Sequence, residues 1–198
     1  EPACLADYLA YADAALQSAL LNNNQDHAQD GLNVLKRALE FFALGQGVLS
    51  YASPEIAQDL PPNTVIPQIV DNELESTSAL AIRLAKQYAW YCESALGKKE
   101  TSLRDFARAS VSQFATAANE AQQGMSGYFI AASMVKEDRY FVVRGRGADE
   151  SSRRILQKLP FQFVLALPSN SEPIIEAVIG GKHVVFPSID SLATAFGR

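Results

Sequence analysis

Histidine, cysteine and methionine each occur only twice in the 198 residues, and tryptophan once. Two cysteines are too few for a disulfide-rich miniprotein or an ordinary structural zinc site. His27 and His183 stand far apart, and no His-Glu-x-x-His, Cys-x-x-Cys or Glu-x-x-His pattern surrounds them. That leaves no ligand set for zinc or iron catalysis, so neither a metal nor a cofactor is expected. No run approaches the 18 consecutive apolar residues of a membrane-crossing helix, so no membrane span is expected. Basic side chains are in deficit, 17 against 22 acidic, with a formal charge of −5 and a pI near 5.1. Nucleic acid is therefore not an expected partner. The 11 glycines and 9 prolines are too few for a collagen-like or low-complexity chain. At 48% hydrophobic the chain has ample material for a buried core.

What is present changes character part-way along. Residues 1–124 hold 15 acidic and 8 basic side chains, a formal −7, whereas residues 125–198 hold 7 and 9, a formal +2. The change falls at the breaker Gln122-Gln123-Gly124-Met125-Ser126-Gly127. Alanine and leucine dominate before it; valine, isoleucine, phenylalanine and Gly/Pro punctuation follow. The expected organisation is a helical bundle over 1–124 and a small α/β segment over 125–198, packed on the bundle or continuous with it.

Helical spacing fills the first part. Leu5, Tyr8, Leu9, Ala12, Leu16, Ala19 and Leu20 recur at steps of three and four. Asn22-Asn23-Asn24 is suited to end that helix. A second stripe runs through Leu32, Leu35, Leu39, Phe42 and Leu49, with Gly45 and Gly47 weakening its last turns. A connector from Ser53 to Pro62 follows. Pro67 reads as a first-turn proline for a helix that reaches Leu96 and stops at Gly97. A fourth helix opens at Thr101 or Ser102, Asp105 standing at capping-box distance from Ser102, and buries Leu103, Phe106, Ala107, Val111, Phe114 and Ala118. The fold class expected is mostly α: an antiparallel bundle of about four helices carrying a C-terminal α/β layer of about four short strands.

In that layer Tyr128–Ala132 and Tyr140–Val143 flank a polar turn and suggest a hairpin. A helix is expected from about Asp149 to Lys158, then a strand over 161–167. A second short helix should follow Pro173 and end at Gly180-Gly181. The strand His183–Phe186 and a last helix capped by Ser188 complete the pattern.

Cys4 near the start and Cys92 on the third helix allow one disulfide, worth about 4–5 kcal/mol in the chain-entropy model. The alternative is two buried thiols acting as small hydrophobes. A plain up-down bundle opposes the bridge, because it sets the start of helix one and the end of helix three at opposite ends. The opening Glu1-Pro2-Ala3-Cys4 matches a chain after removal of a leader, and a periplasmic or secreted location is expected, with a cytoplasmic one as the alternative.

Arg144-Gly145-Arg146-Gly147 follows a strand and precedes a helix, the context of a backbone anion nest. With Arg153, Arg154 and Lys182 these form the candidate anion-binding residues, although neither this loop nor Gly180-Gly181-Lys182 completes a P-loop. His183 reads as a partly buried structural residue, and Ser126 as a linker serine without the spacing of a nucleophile elbow. Asp71, Glu73 and Glu75 complement a helix N-terminus. Trp90 lies off the Leu84–Tyr88–Tyr91 stripe, so it either anchors an interface or packs beneath the C-terminal layer. No catalytic residue emerges.

Leu165-Ala166-Leu167-Pro168-Ser169-Asn170, an expected helix, and then Gly181-Lys182-His183-Val184 resemble one strand–helix–strand step of the glucose–fructose oxidoreductase family over about 20 residues. The family's upstream glycine-rich fingerprint is missing, and Phe186-Pro187-Ser188 stands where the family has Glu-Lys-Pro. The resemblance implies the local step and no activity. The function expected is that of a non-enzymatic, exported interaction or adaptor protein, immunity-type proteins included, in a bacterial envelope or secretion-related assembly, with another protein as partner. The alternative is a module or enzyme for an anionic small molecule, a nucleotide or phosphosugar, held by Arg144, Arg146 and Lys182.

Overall fold

A computed structural model describes residues 4–22, 24–53, 68–71, 75–121, 123–159 and 162–197. Among them lie seven helices and a C-terminal sheet of four strands, the mostly-α class with a small α/β layer that the periodicity predicts. The chain divides into two compact units: Glu1–Ala89 with Lys99–Lys136, and Trp90–Lys98 with Glu137–Arg198.

The first unit begins with α1 (Leu5–Asn22) and α2 (Gln25–Phe41), which pack against each other. α1 buries Leu5, Leu9, Ala12, Leu16 and Ala19; α2 answers with Ala28, Gly31, Leu32, Leu35 and Ala38. Asn24 caps α2, its side chain accepting from the N–H groups of Asp26 and His27. At Gly31 a Cβ would collide with Tyr88 Oη and with Ala15 Cβ. Tyr88, from α3 (Thr77–Ala95), donates to the Ala12 carbonyl at 2.6 Å in that gap. α3 is buried nearly all round in the bundle, as a central helix must be. Arg83 on α3 binds Asp13 of α1 at 3.1 Å and Glu75 at 3.0 Å.

Three local expectations change in this unit. The stripe ending at Phe42 and Leu49 is buried as expected, but α2 stops at Phe41. Gly45, Gln46 and Gly47 all take positive φ (103°, 49° and 80°) and turn the chain into a small hairpin, β1 (Ala43–Gly45) with β2 (Val48–Leu49). Gly47 lies against α4 (Thr101–Ala121), where its carbonyl accepts from Ser110 Oγ at 2.6 Å. Ser102 falls inside the first turn of α4 and does not cap it. Residues 128–132, expected as a strand, belong to α5 (Ser126–Glu137). Five consecutive apolar residues fit either element. Helical spacing buries Gly127, Tyr128 and Ala131 and leaves Phe129 and Ile130 exposed. The start expected for α3 at Pro67 and the connector 54–62 lie outside the described residues; Val70, which that start would place within α3, precedes the helix and is exposed. α3 does stop as expected, with Gly97 at φ 64° and the Lys98 N–H returning to the Cys92 carbonyl.

α5 starts where it does because of a residue 55 positions earlier. Asp71 accepts from Ser126 Oγ at 2.8 Å and from the Gly127 N–H at 2.7 Å, and its other oxygen accepts from the Ser76 N–H ahead of α3. One carboxylate thus fastens the starts of two helices.

The second unit is built on β3 (Arg139–Gly145), which leads through α6 (Ala148–Lys158) to β4 (Val164–Pro168), parallel to it. On the other side of β3 lies β5 (Ile174–Ile179), antiparallel, and β6 (Lys182–Phe186) pairs with β5, giving the order β4-β3-β5-β6. The helix expected after Pro173 is therefore a strand. Ile174, Ile175, Val178 and Ile179 favour extended backbone. Gly180 and Gly181, at φ 57° and 79°, supply the paired left-handed residues of a type I′ hairpin turn and do not end a helix. One sheet face packs Phe141, Val143 and Ala177 against Ala148, Ile155 and Leu159 of the α6 region and Ile189 and Leu192 of α7 (Ile189–Phe196). Ser188 caps α7 in a reciprocal box with Ser191, as expected.

Neither cysteine forms a disulfide. The Cys4 thiol, ahead of α1, donates to Asp7 at 3.2 Å, and Cys92 is buried on α3. Titration of denatured, never-reduced protein is expected to count two thiols per chain; none would restore the bridge.

A second expectation concerns Asp71. Partial burial pushes its carboxyl up, but hydrogen bonds from Gly127, Ser76 and Ser126 outweigh this and hold it below the ordinary value. A pKa lower when folded than when unfolded stabilises the fold above the unfolded value, and the gain is lost as pH falls through the folded one. Asp71→Asn should cost about 1–2 kcal/mol at neutral pH. In urea melts that cost should shrink towards about pH 3; an equal cost at both pH values would contradict the assignment.

Candidate functional site

Two places in the second unit bear on function: the turn after β3 and the outer strand β6. The turn follows the strand–Gly–x–Gly–helix pattern, with Gly145 at φ 97° and Gly147 at φ 71° ahead of α6. Two of its backbone groups are engaged by the 169–172 segment. The Arg146 N–H donates to the Ser171 carbonyl at 3.0 Å, and the Gly145 carbonyl accepts from the Ser169 N–H at 3.4 Å. A Cβ on Gly145 would lie 2.5 Å from the Glu172 carbonyl oxygen, so the glycine is there to admit the 169–172 segment. Asp149 and Glu150 occupy the first turn of α6 and already complement its positive end.

The candidate basic residues do not converge. Arg144 is half-buried; its Nη2 donates to the Ser94 carbonyl at 3.0 Å and its Nε lies 3.5 Å from Glu176. The Arg146 side chain is exposed at the turn. Arg153 is exposed on α6 and donates to the Asp149 carbonyl, and Arg154 is exposed beside it. Asp190, exposed on α7, is held below the ordinary carboxylate range by its bond to Lys158, with Arg154 adding to the effect. Lys182 pairs with Ile179, which pairs with Arg139, so it stands beside the start of β3 while Arg144 stands near the end. Five residues of strand separate those levels, about 16 Å. Lys182 therefore does not join an anion site with Arg144 and Arg146.

Trp90 is fully buried, which removes it as an interface anchor. Its ring stacks on Tyr140 at 5.0 Å and lies 5.6 Å from Phe163, and its Nε1 donates to Asp138 at 2.9 Å. With Ser94, whose hydroxyl meets Tyr140 Oη at 2.8 Å, it covers the sheet face opposite α6 and α7. His183, expected to be partly buried, is exposed on β6 with Nδ1 3.3 Å from Glu176. Ser126 and Asp71 serve as helix-start groups, and among the described residues no cluster of three metal-ligating side chains occurs.

The strand expected over His183–Phe186 is present as β6; what the residue patterns missed is its place at the edge of the sheet. It ends the strand order, and among the described residues nothing pairs with its outer side. Val184 and Val185 are 44% and 63% exposed, one on each face, and Ile174 and Ile179 on β5 are exposed too. Edge strands are normally kept from further pairing by charge, proline or shortness. Here Lys182 and Pro187 bound an apolar centre. The signal in the sequence was Val184-Val185 followed by Pro187, legible as an edge only once β5 is known to be a strand.

With Arg144 engaged by Ser94 and Glu176 and Lys182 distant from it, the second unit is expected not to respond to anions. A panel of nucleotides and phosphosugars is expected to leave the melting temperature unchanged. A rise of several degrees, lost on Arg146→Ala, would restore a ligand site. No family model, curated protein or solved structure matches this chain.

Proposed function

We propose that this chain is a non-catalytic interaction protein and that β6 is the edge through which it engages another polypeptide. The exposure of Val184 and Val185 on an outermost strand carries this reading. An extended segment added to such an edge gains main-chain hydrogen bonds, and alternate side chains supply selectivity. The charged groups nearby support the reading by being engaged elsewhere: Arg144 on Ser94 and Glu176, and Lys158 on Asp190.

A photo-crosslinking residue at Val185, introduced in the native host, tests this. It should give a discrete adduct of higher mass, whereas the same group at Leu21, 82% exposed on α1, should give none. Adducts absent at Val185, or equally frequent at both positions, would overturn the proposal.

A further inference from the structure

We infer that the polypeptide taken up by β6 is a second copy of this chain, joined antiparallel about a two-fold axis through Val184; this rests on the reading of β6 as an interaction edge. The type I′ turn at Gly180-Gly181 is closed by a hydrogen bond between Ile179 and Lys182. Ladder bonds to β5 then recur at every second residue: Lys182, Val184 and Phe186. His183 and Val185 are left with their N–H and C=O groups directed outward, and among the described residues neither makes a backbone bond outside the sheet.

Those two residues restrict how a second β6 can dock. With Val184 opposite its own copy, His183 faces Val185 of the other copy twice over, and all four outward N–H and C=O groups of each pair are matched. Lys182 then faces the partner copy's phenylalanine, so no like charges oppose each other. Centring the axis on Val185 would set His183 against Pro187, which has no N–H to give. A centre on His183 would oppose two imidazoles and run Val185 into the glycine turn. The five-residue strand is thus self-complementary in one register. The contact is isologous and closed, and it extends a four-stranded sheet to eight, within the ordinary range.

The register gives a specific chemical readout. Non-hydrogen-bonded partners in antiparallel strands have Cα atoms about 4.5 Å apart, within disulfide range. In a Cys4→Ser background, Val184→Cys should oxidise to a covalent dimer, while Val185→Cys, set two residues off its own copy, should not. Sedimentation of the unmodified chain should show its mass rising from 21.5 kDa towards twice that value with concentration. Val185→Pro removes only an outward N–H, so it should abolish the dimer and leave the circular dichroism unchanged. If that variant unfolds, Val185→Lys supplies the same test by charge. A chain that stays monomeric with no Val184→Cys cross-link, or one that cross-links faster at Val185→Cys, would overturn the inference. The broader reading of β6 fails separately, if the native-host cross-link at Val185 is absent. An adduct there whose mass differs from a dimer's would keep that reading and reject the second copy.

Discussion

Tyr140, Phe141, Val142 and Val143 are all at most 1% exposed, and this one strand sets what the second unit must be. Successive residues of a strand point to opposite faces, so four consecutive buried side chains require cover on both. On one side α6 and α7 bury Phe141 and Val143; on the other the Trp90 indole and Ser94 close over Tyr140. β3 is also paired along both edges, by β4 and β5. Once the centre is so enclosed, the unit meets its surroundings through its margins, and β6 is the margin with exposed apolar side chains.

The charges follow from the same enclosure. A sheet covered on both faces needs its few charged groups matched, and Glu176, half-buried on β5, takes Arg144 on one side and His183 on the other. The arginines that stand out in the sequence as a basic cluster are thereby separated: one is spent inside the unit, others lie along α6, and Lys182 lies at the far end of the sheet. The +2 of residues 125–198 is thus spread over Arg144 inside the unit, Arg154 and Lys158 beside Asp190, and Lys182 beside the start of β3.

Long periodic helices were legible from residues alone: α1, α3 at its C-terminal end, α4 and α6 follow from spacing and glycine or serine punctuation. Misreadings arose where a short apolar run is compatible with two elements. Residues 128–132 became helix because Asp71 supplies the capping oxygens from a distant part of the chain, a tertiary contact that local pattern cannot show. Residues 174–179 became strand because Gly180-Gly181 forms a hairpin turn, whereas the same dipeptide also suits a helix end. The burial of Trp90 was left open for a related reason: it lies off its own helix's stripe because a different layer buries it. The candidate edge was hidden behind the misread β5, since a strand becomes an edge only by its place in the sheet.

The claim on which everything functional rests is that β6 alternates between residues bonded to β5 and residues facing outward. Residue-resolved amide hydrogen exchange tests it most directly. In dilute protein Val184 and Phe186 should be protected while His183 and Val185 exchange rapidly, and the latter two should gain protection as concentration rises. Slow exchange at Val185 in the dilute monomer, or no alternation along the strand, would contradict the account.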